Sequence, residues 1–347
     1  MPGRRSSMSP PQNVTPADQE FLALLVHRGY LTRDDALGIL RSAAEAGLEA
    51  ALGAATGWDA AKRAYMRRTK GLSEPEIPGY RTEAQLGVGG TSEVFAARRL
   101  QDNRKVALKI LRPKLALDPP AVRRFLEEAK LLQRLEHAAI VRGRRIFKFM
   151  GTYVLEMDFV KGRTLEEVLA DGETFDEDAA LSIIVQVARA LDHMRAEGVV
   201  HRDLKPGNLM VDEKGEVRLI DLGFAGPGMS GRVDAETTLG TPAYLSPEQA
   251  RGDASLDSRA DIYSLGATLY HLVVGRLPFE GADDAEIMRK QVLEGLNGAA
   301  LKGGGISPSL HYFIEKMMAK DRDVRYSTPA ELAEDVEAHR SRQRDLA

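Results

Sequence analysis

The stretch His201-Arg202-Asp203-Leu204-Lys205-Pro206-Gly207-Asn208 places a carboxylate, an ammonium and a side-chain amide at short, fixed offsets. Asp203 can orient an incoming hydroxyl and accept its proton, Lys205 can neutralise a migrating phosphoryl group, and Asn208 can hold a divalent ion. Further on, Asp221-Leu222-Gly223 supplies a second carboxylate for the same ion. A lone His-Arg-Asp triplet arises by chance on many solvated loops. The whole string, followed by a metal carboxylate, is far more specific.

Read together, HRDLKPGN and DLG resemble the catalytic loop and metal loop of the eukaryotic-like, bacterial-type Ser/Thr protein kinases. The resemblance implies an α+β, two-lobed protein-kinase fold, with an antiparallel-sheet N-lobe carrying one helix and a helical C-lobe. It implies ATP between the lobes and Mg²⁺, with Mn²⁺ as a second option, on Asn208 and Asp221. Two carboxamide or carboxylate ligands are a sufficient protein share for an ion that keeps phosphate oxygens and water. Leu222 replaces the family's usual Phe, a conservative exchange for a side chain that packs beneath the loop. His201 reads as a buried structural residue, and the seven histidines are too scattered for a zinc site.

The nucleotide residues follow from the same resemblance. Leu86-Gly87-Val88-Gly89-Gly90-Thr91-Ser92-Glu93-Val94 resembles the glycine-rich loop whose bare backbone lets N–H groups approach phosphates. Ser92 stands where the family has a third glycine, which is expected to cost some loop freedom. The segment lacks the GK[ST] of a Walker loop, and the strand expected after it argues against a dinucleotide fingerprint. Lys109 in Val106-Ala107-Leu108-Lys109 matches the family's strand lysine. Glu128 matches its helix partner, since Glu127 would point about 100° away. Met157, Asp158, Phe159 and Val160 align with the hinge that meets the base, and Val94, Ala107 and Met210 with the residues that sandwich it.

Gly240-Thr241-Pro242-Ala243-Tyr244-Leu245-Ser246-Pro247-Glu248 resembles the family's docking segment, with Ser246 for the usual Ala. Thr241 is expected to bond Asp203 and Lys205, Glu248 to pair with Arg325, and Asp261 to buttress the catalytic loop from a central helix. Thr237 and Thr238 are the expected phosphorylation sites, where added charge would order the segment against Arg202.

These residues need elements to hold them. Residues 1–16 are rich in Pro, Ser and Arg and read as a disordered tail. Thr15-Pro16-Ala17-Asp18 and Thr32-Arg33-Asp34-Asp35 are helix starts followed by apolar residues at helical spacing, with Gly29 and Gly47 as stops. They predict a small helical module over 17–70, with Trp58 as an anchor, and a linker over 71–79. The kinase domain is expected over 80–340, its N-lobe at 80–160 and its C-lobe at 161–340, with a tail at 341–347. Long apolar-periodic segments near 178–197 and 259–275 predict the main C-lobe helices.

Composition bounds the partners. With 48 basic and 51 acidic residues the net charge is −3, so nothing global points to nucleic acid or an anionic membrane. The absence of cysteine excludes disulfides and thiolate chemistry. No apolar run is long enough for a membrane span, so a cytoplasmic location is expected. The expected activity is ATP- and Mg²⁺-dependent phosphorylation of Ser or Thr on protein substrates. Self-association would serve autophosphorylation in trans. A nucleotide-binding pseudokinase or scaffold is the alternative, supported by Ser92, Leu222 and Ser246. A small-molecule phosphotransferase would have no use for the docking segment. The basic run Arg142, Arg144, Arg145 and Lys148 reads as a solvated strand edge.

Overall fold

The computed structural model describes residues 14–69, 74–227, 241–253, 255–296 and 306–346. The chain divides into two compact units, Met1–Leu126 with Arg145–Phe159, and Glu127–Arg144 with Val160–Ala347.

The first unit opens with four helices, α1 (Pro16–His27), α2 (Arg33–Ala46), α3 (Leu48–Thr56) and α4 (Ala60–Arg68). Thr15 and Thr32 each close a capping box, with Asp18 and Asp35 returning the bond to the cap. The helices bury Phe21, Leu22, Leu25, Ile39, Leu52 and Met66 in one core. Trp58 joins it edge-on to Tyr30 at 5.9 Å between ring centroids. The tail expected over 1–16 gives way near its end. Val14 is only 8% exposed and belongs to this core, because the cap at Thr15 turns the preceding residue inward.

A five-stranded antiparallel sheet follows, built from β1 (Tyr80–Val88), β2 (Ser92–Arg99), β3 (Lys105–Leu111), β4 (Gly143–Phe149) and β5 (Thr152–Asp158). Its spatial order is β1-β2-β3-β5-β4. The helix α5 (Pro119–Arg134) lies between β3 and β4 in sequence. On one face of the sheet Val106, Leu108 and Val154 pack with Ile77 and Tyr80. Glu156 is fully buried on this side, accepting hydrogen bonds from the Tyr80 hydroxyl and from Arg99, the latter at 2.9 Å.

The turn between β4 and β5 carries the helical module. Met150 and Gly151 both have positive φ, 48° and 81°, which suits a two-residue hairpin. Left-handed backbone is costly for methionine. Here Met150 and Phe149 pack into the module's core, and Phe149 meets Tyr65 edge-on at 5.3 Å. Edge strand β4 bears exposed Arg144, Arg145 and Lys148, charges of the kind that blunt edge pairing.

The second unit is mainly helical. It contains α6 (Leu165–Ala170), α7 (Glu177–Ala196), α8 (Pro247–Ala250), α9 (Ser258–Val274), α10 (Asp284–Leu293), α11 (Pro308–Met317) and α12 (Pro329–Leu346). A small sheet of β6 (Arg163–Thr164), β8 (Leu209–Val211) and β9 (Val217–Leu219) flanks the catalytic loop, and β7 (Val199–Val200) pairs with β10 (Gly226–Pro227). Helix α9 is apolar nearly all round and buried along most of its length, as a central helix must be. Its Gly266 allows close approach, since a Cβ there would lie 2.8 Å from Met317 and Met318. In place of the tail expected at 341–347, α12 runs on to Leu346, held along α7 by Arg340 to Asp178 at 2.8 Å and Arg189 to Glu337 at 2.6 Å.

Candidate active site

In the first unit, strand register gathers the residues expected to meet a nucleotide. Gly87, Val94, Lys109 and Leu155 form one row across β1, β2, β3 and β5, and Ala96, Ala107 and Met157 form the next. Cross-strand partners share a face, and so do residues two apart. Val94, Ala107, Lys109 and Met157 therefore line one face of the sheet, opposite the Val106 and Leu108 core. Lys109, Ala107 and Met157 are each 6% exposed. Asp158 pairs with Arg104 at 2.9 Å, and Lys105 Nζ lies 4.0 Å over the Phe159 ring.

The loop joining β1 to β2 is closed by Gly89 N–H donating to Ser92 O at 2.8 Å. A Cβ added at Gly87 or Gly90 would meet nothing within 4 Å, so the chain itself does not fill that space. Leu86 and Val88 are exposed, at 49% and 60%. Ser92 begins β2 opposite Leu111 and is not among the positive-φ residues. The strand register thus requires no glycine there.

In the second unit the catalytic loop is tied down from several sides. Asn208 Nδ2 donates to Asp203 O at 2.7 Å and to Asp203 Oδ2 at 3.0 Å, and Lys205 Nζ reaches the same Oδ2 at 3.1 Å. Asp203 is thereby held between an amide and an ammonium. Lys205 Nζ also donates to Thr241 Oγ1 at 3.2 Å, so the ammonium links the docking segment to Asp203.

Asp261 on α9 is 2% exposed and accepts from the backbone N–H of His201 at 2.8 Å and of Arg202 at 2.9 Å. Burial pushes its carboxyl above the usual range, while His201 and those two amides pull it back. His201 is buried, and its Nδ1 accepts from Asp203 N–H at 3.2 Å, which marks it as structural. Arg202 takes the left-handed conformation at φ 67°, held there by these bonds and by Gln249 Nε2 donating to its carbonyl at 2.7 Å. Burial lowers the Arg202 guanidinium below its ordinary range.

Asn208 and Asp221 fit a hard divalent cation. With its nitrogen committed to Asp203, Asn208 has its amide oxygen as the remaining ligand atom. Asp221 Oδ1 is oriented by Gly223 N–H at 2.8 Å. An amide oxygen and a carboxylate are donors of the kind Mg²⁺ takes from protein. Glu128 is 5% exposed on α5, whereas Glu127 is exposed. Glu128 Oε2 lies 3.8 Å from where a Gly223 Cβ would be, which sets its carboxylate beside the metal loop. Leu222 is buried at 1% exposure, so it fills the space expected of the family's Phe. Met210 sits on β8, paired in register with Thr164 and Arg218, and Val160 follows β5.

Glu248 and Arg325 form a bidentate pair, at 2.7 and 2.9 Å, with both side chains almost fully buried. Arg325 also donates to the carbonyls of Ala319, Arg259 and Lys320. Ser246, at the position of the usual Ala, is the N-cap of α8 in a reciprocal box with Gln249. Thr237, Thr238 and Gly240 lie outside the described residues. Sequence reasoning passed over Gln249, Gln291, Tyr263 and His271, whose Nδ1 lies 2.7 Å from the Tyr244 hydroxyl. Their types carry no signal outside their packing.

Residues 80–339 match the protein kinase domain model. The chain belongs to the protein kinase family. It is 36% identical over 276 residues to a probable serine/threonine-protein kinase of Streptomyces coelicolor, covering 77% of this chain and 41% of that protein. It is 36% identical over 258 residues to the serine/threonine-protein kinase PknB of Mycobacterium tuberculosis, covering 72% and 41%. A probable serine/threonine-protein kinase of Corynebacterium efficiens is 35% identical over 269 residues, covering 74% and 41%. The aligned part thus spans about two fifths of the length of these relatives. No helix among the described residues is long and apolar enough to cross a membrane.

Proposed function

We propose that this chain is an active Ser/Thr protein kinase that transfers the γ-phosphoryl group of ATP to protein hydroxyls with Mg²⁺. The observation that carries the reading is the Asp203 carboxylate, held at once by Asn208 and Lys205, with Lys205 bonded on to Thr241 of the docking segment. Asp203 orients the substrate hydroxyl and takes its proton as the oxygen–phosphorus bond forms and the bond to the β-phosphate oxygen breaks, releasing ADP. Lys205 faces the charge that spreads over the transferring group. Asn208 and Asp221 hold the divalent ion, which when bound neutralises phosphate charge. Lys109 and Glu128, Leu86 to Gly90, Val94, Ala107, Met210 and the hinge residues Met157 to Val160 are assigned to the nucleotide on the family pattern.

Ser92, Leu222 and Ser246, the support for a scaffold reading, each occupy places their side chains suit: a strand start, a buried apolar site and a helix cap. Phosphorylation of Thr237 or Thr238, self-association in trans and a cytoplasmic location belong to the same reading. The test is a set of Asp203→Asn, Lys205→Ala and Asn208→Ala variants assayed for ATP binding and for transfer to a degenerate Ser/Thr peptide library. Asp203→Asn is expected to keep nucleotide affinity and lose about 10²–10⁴-fold in transfer, and Asn208→Ala to raise the Mg²⁺ concentration needed. Transfer surviving in Asp203→Asn would remove the assignment.

A further inference from the structure

Helix α10 turns a polar residue into the core. Gln291 has no exposed surface, while the rest of that helix keeps some contact with solvent. A buried amide destabilises unless its donors and acceptor are used, and an apolar side chain of similar shape would fill the space without that demand. Here all are used. Gln291 Nε2 donates to Ala243 O at 2.7 Å and to Pro242 O at 3.2 Å, while its Oε1 accepts from the Tyr263 hydroxyl at 2.6 Å.

The amide's orientation is dictated from below. Lys320 Nζ donates to the Tyr263 hydroxyl at 2.9 Å and to Gln291 O at 2.8 Å. An ammonium has no acceptor, so the hydroxyl receives from Lys320 and must give its own hydrogen to Gln291 Oε1. That leaves the NH₂ end facing the two carbonyls. Burial, with Arg325 beside it, brings Lys320 down to about 8, so at neutral pH it is still an obligate donor. Tyr263 is itself fixed, fully buried with the Arg325 guanidinium 4.9 Å from its ring. Proline contributes no N–H at 242, and Gln291 grips this stretch by its two carbonyls. One residue before it, Thr241 meets Lys205 of the catalytic loop.

We propose that Gln291, oriented by Tyr263 and Lys320, is a positioning residue that holds the Pro242–Ala243 backbone in the shape that receives the protein substrate. It sets affinity for the peptide rather than the rate of phosphoryl transfer. The proposal rests on the reading of Thr241 to Glu248 as the substrate-docking segment of an active kinase.

The test measures steady-state constants of the full chain for ATP and for the best peptide from a degenerate Ser/Thr library, in wild type, Gln291→Leu, Gln291→Glu and Tyr263→Phe. Gln291→Leu removes every directed bond, and Gln291→Glu keeps the acceptor for Tyr263 while turning carboxylate oxygen toward the carbonyls. Both are expected to raise peptide KM about tenfold, the loss of one or two buried hydrogen bonds, with kcat and ATP KM within about twofold. Tyr263→Phe frees the amide to turn and is expected to give a smaller rise of the same kind. Should Gln291→Leu fail to fold, Gln291→Glu and Tyr263→Phe decide by the same criterion. Unchanged peptide KM in folded variants overturns the proposal, as does a parallel change in ATP KM and kcat, which marks a general lesion. Wild type that binds ATP but phosphorylates no peptide overturns the kinase reading and this proposal together.

Discussion

Single side chains in the catalytic half act mainly by fixing backbone. Glu248 and Arg325 lie far apart in sequence and meet in a pair with almost no solvent contact. Breaking such a pair leaves an uncompensated charge, so Glu248→Gln or Arg325→Met is expected to cost about 3–5 kcal/mol in a denaturant titration, and the double replacement less than the sum. Acid acts on two half-buried histidines. Burial pushes His271 below its ordinary 6.5, and burial with neighbouring His193, Arg189 and Arg218 does the same to His137. Below that value the unfolded chain takes up protons that the folded one refuses, so stability present above about pH 6.5 is lost as pH falls. Thermal melts between pH 7 and 5 check this, and His271→Gln should flatten the slope. At this scale the site was legible by resemblance: the string HRDLKPGN marked Asp203, Lys205 and Asn208 through its likeness to the family's loop, and the structure brings these three side chains together. Gln249 and Gln291 carried no such mark. A glutamine in a helix pattern is ordinarily a surface residue, and only tertiary packing turns these two inward to grip Arg202 and Ala243.

Among the elements, the caps and stops of the helical module were readable because Thr15, Thr32 and Gly47 act on their own neighbours. What the module packs against was not readable, because it depends on the β4–β5 turn, distant in sequence. Met150 holds a left-handed backbone there while its side chain and that of Phe149 enter the module's core. Phe149→Ala is expected to cost about 3–5 kcal/mol if the site does not collapse, and to make α1 to α4 cleavable by limited proteolysis before the rest of the chain. Met150→Ala removes the contact while keeping the left-handed strain and Met150→Gly removes both, so the difference between them separates anchoring from backbone strain. Within α9, Gly266→Ala drives a methyl to within 2.8 Å of Met317 and Met318. Overpacking of that kind is expected to lower stability by about 1–3 kcal/mol in the same melts. The sequence pattern marked α9 as a long buried helix; the need for glycine at one point on it comes from the helix laid across it.

For the molecule as a whole, the helical module lies outside the stretch that matches the kinase domain model. Residues 80–339 match that model, and the bacterial relatives are 36% identical over the aligned stretch. The helical module is integral to the first unit through the β4–β5 turn, so its removal is a change to the sheet that carries Lys109 rather than the loss of an appendage. In the proposed mechanism Asp203 serves as base for transfer of a phosphoryl group from ATP to Ser or Thr. The most direct measurement incubates the full chain with γ-labelled ATP, Mg²⁺ and a degenerate Ser/Thr peptide library, beside Asp203→Asn, and identifies the labelled amino acid. Label on phosphoserine or phosphothreonine with wild type, lost in Asp203→Asn while ATP still binds, is the predicted result. No label from wild type that binds ATP, or equal label from both proteins, would contradict it.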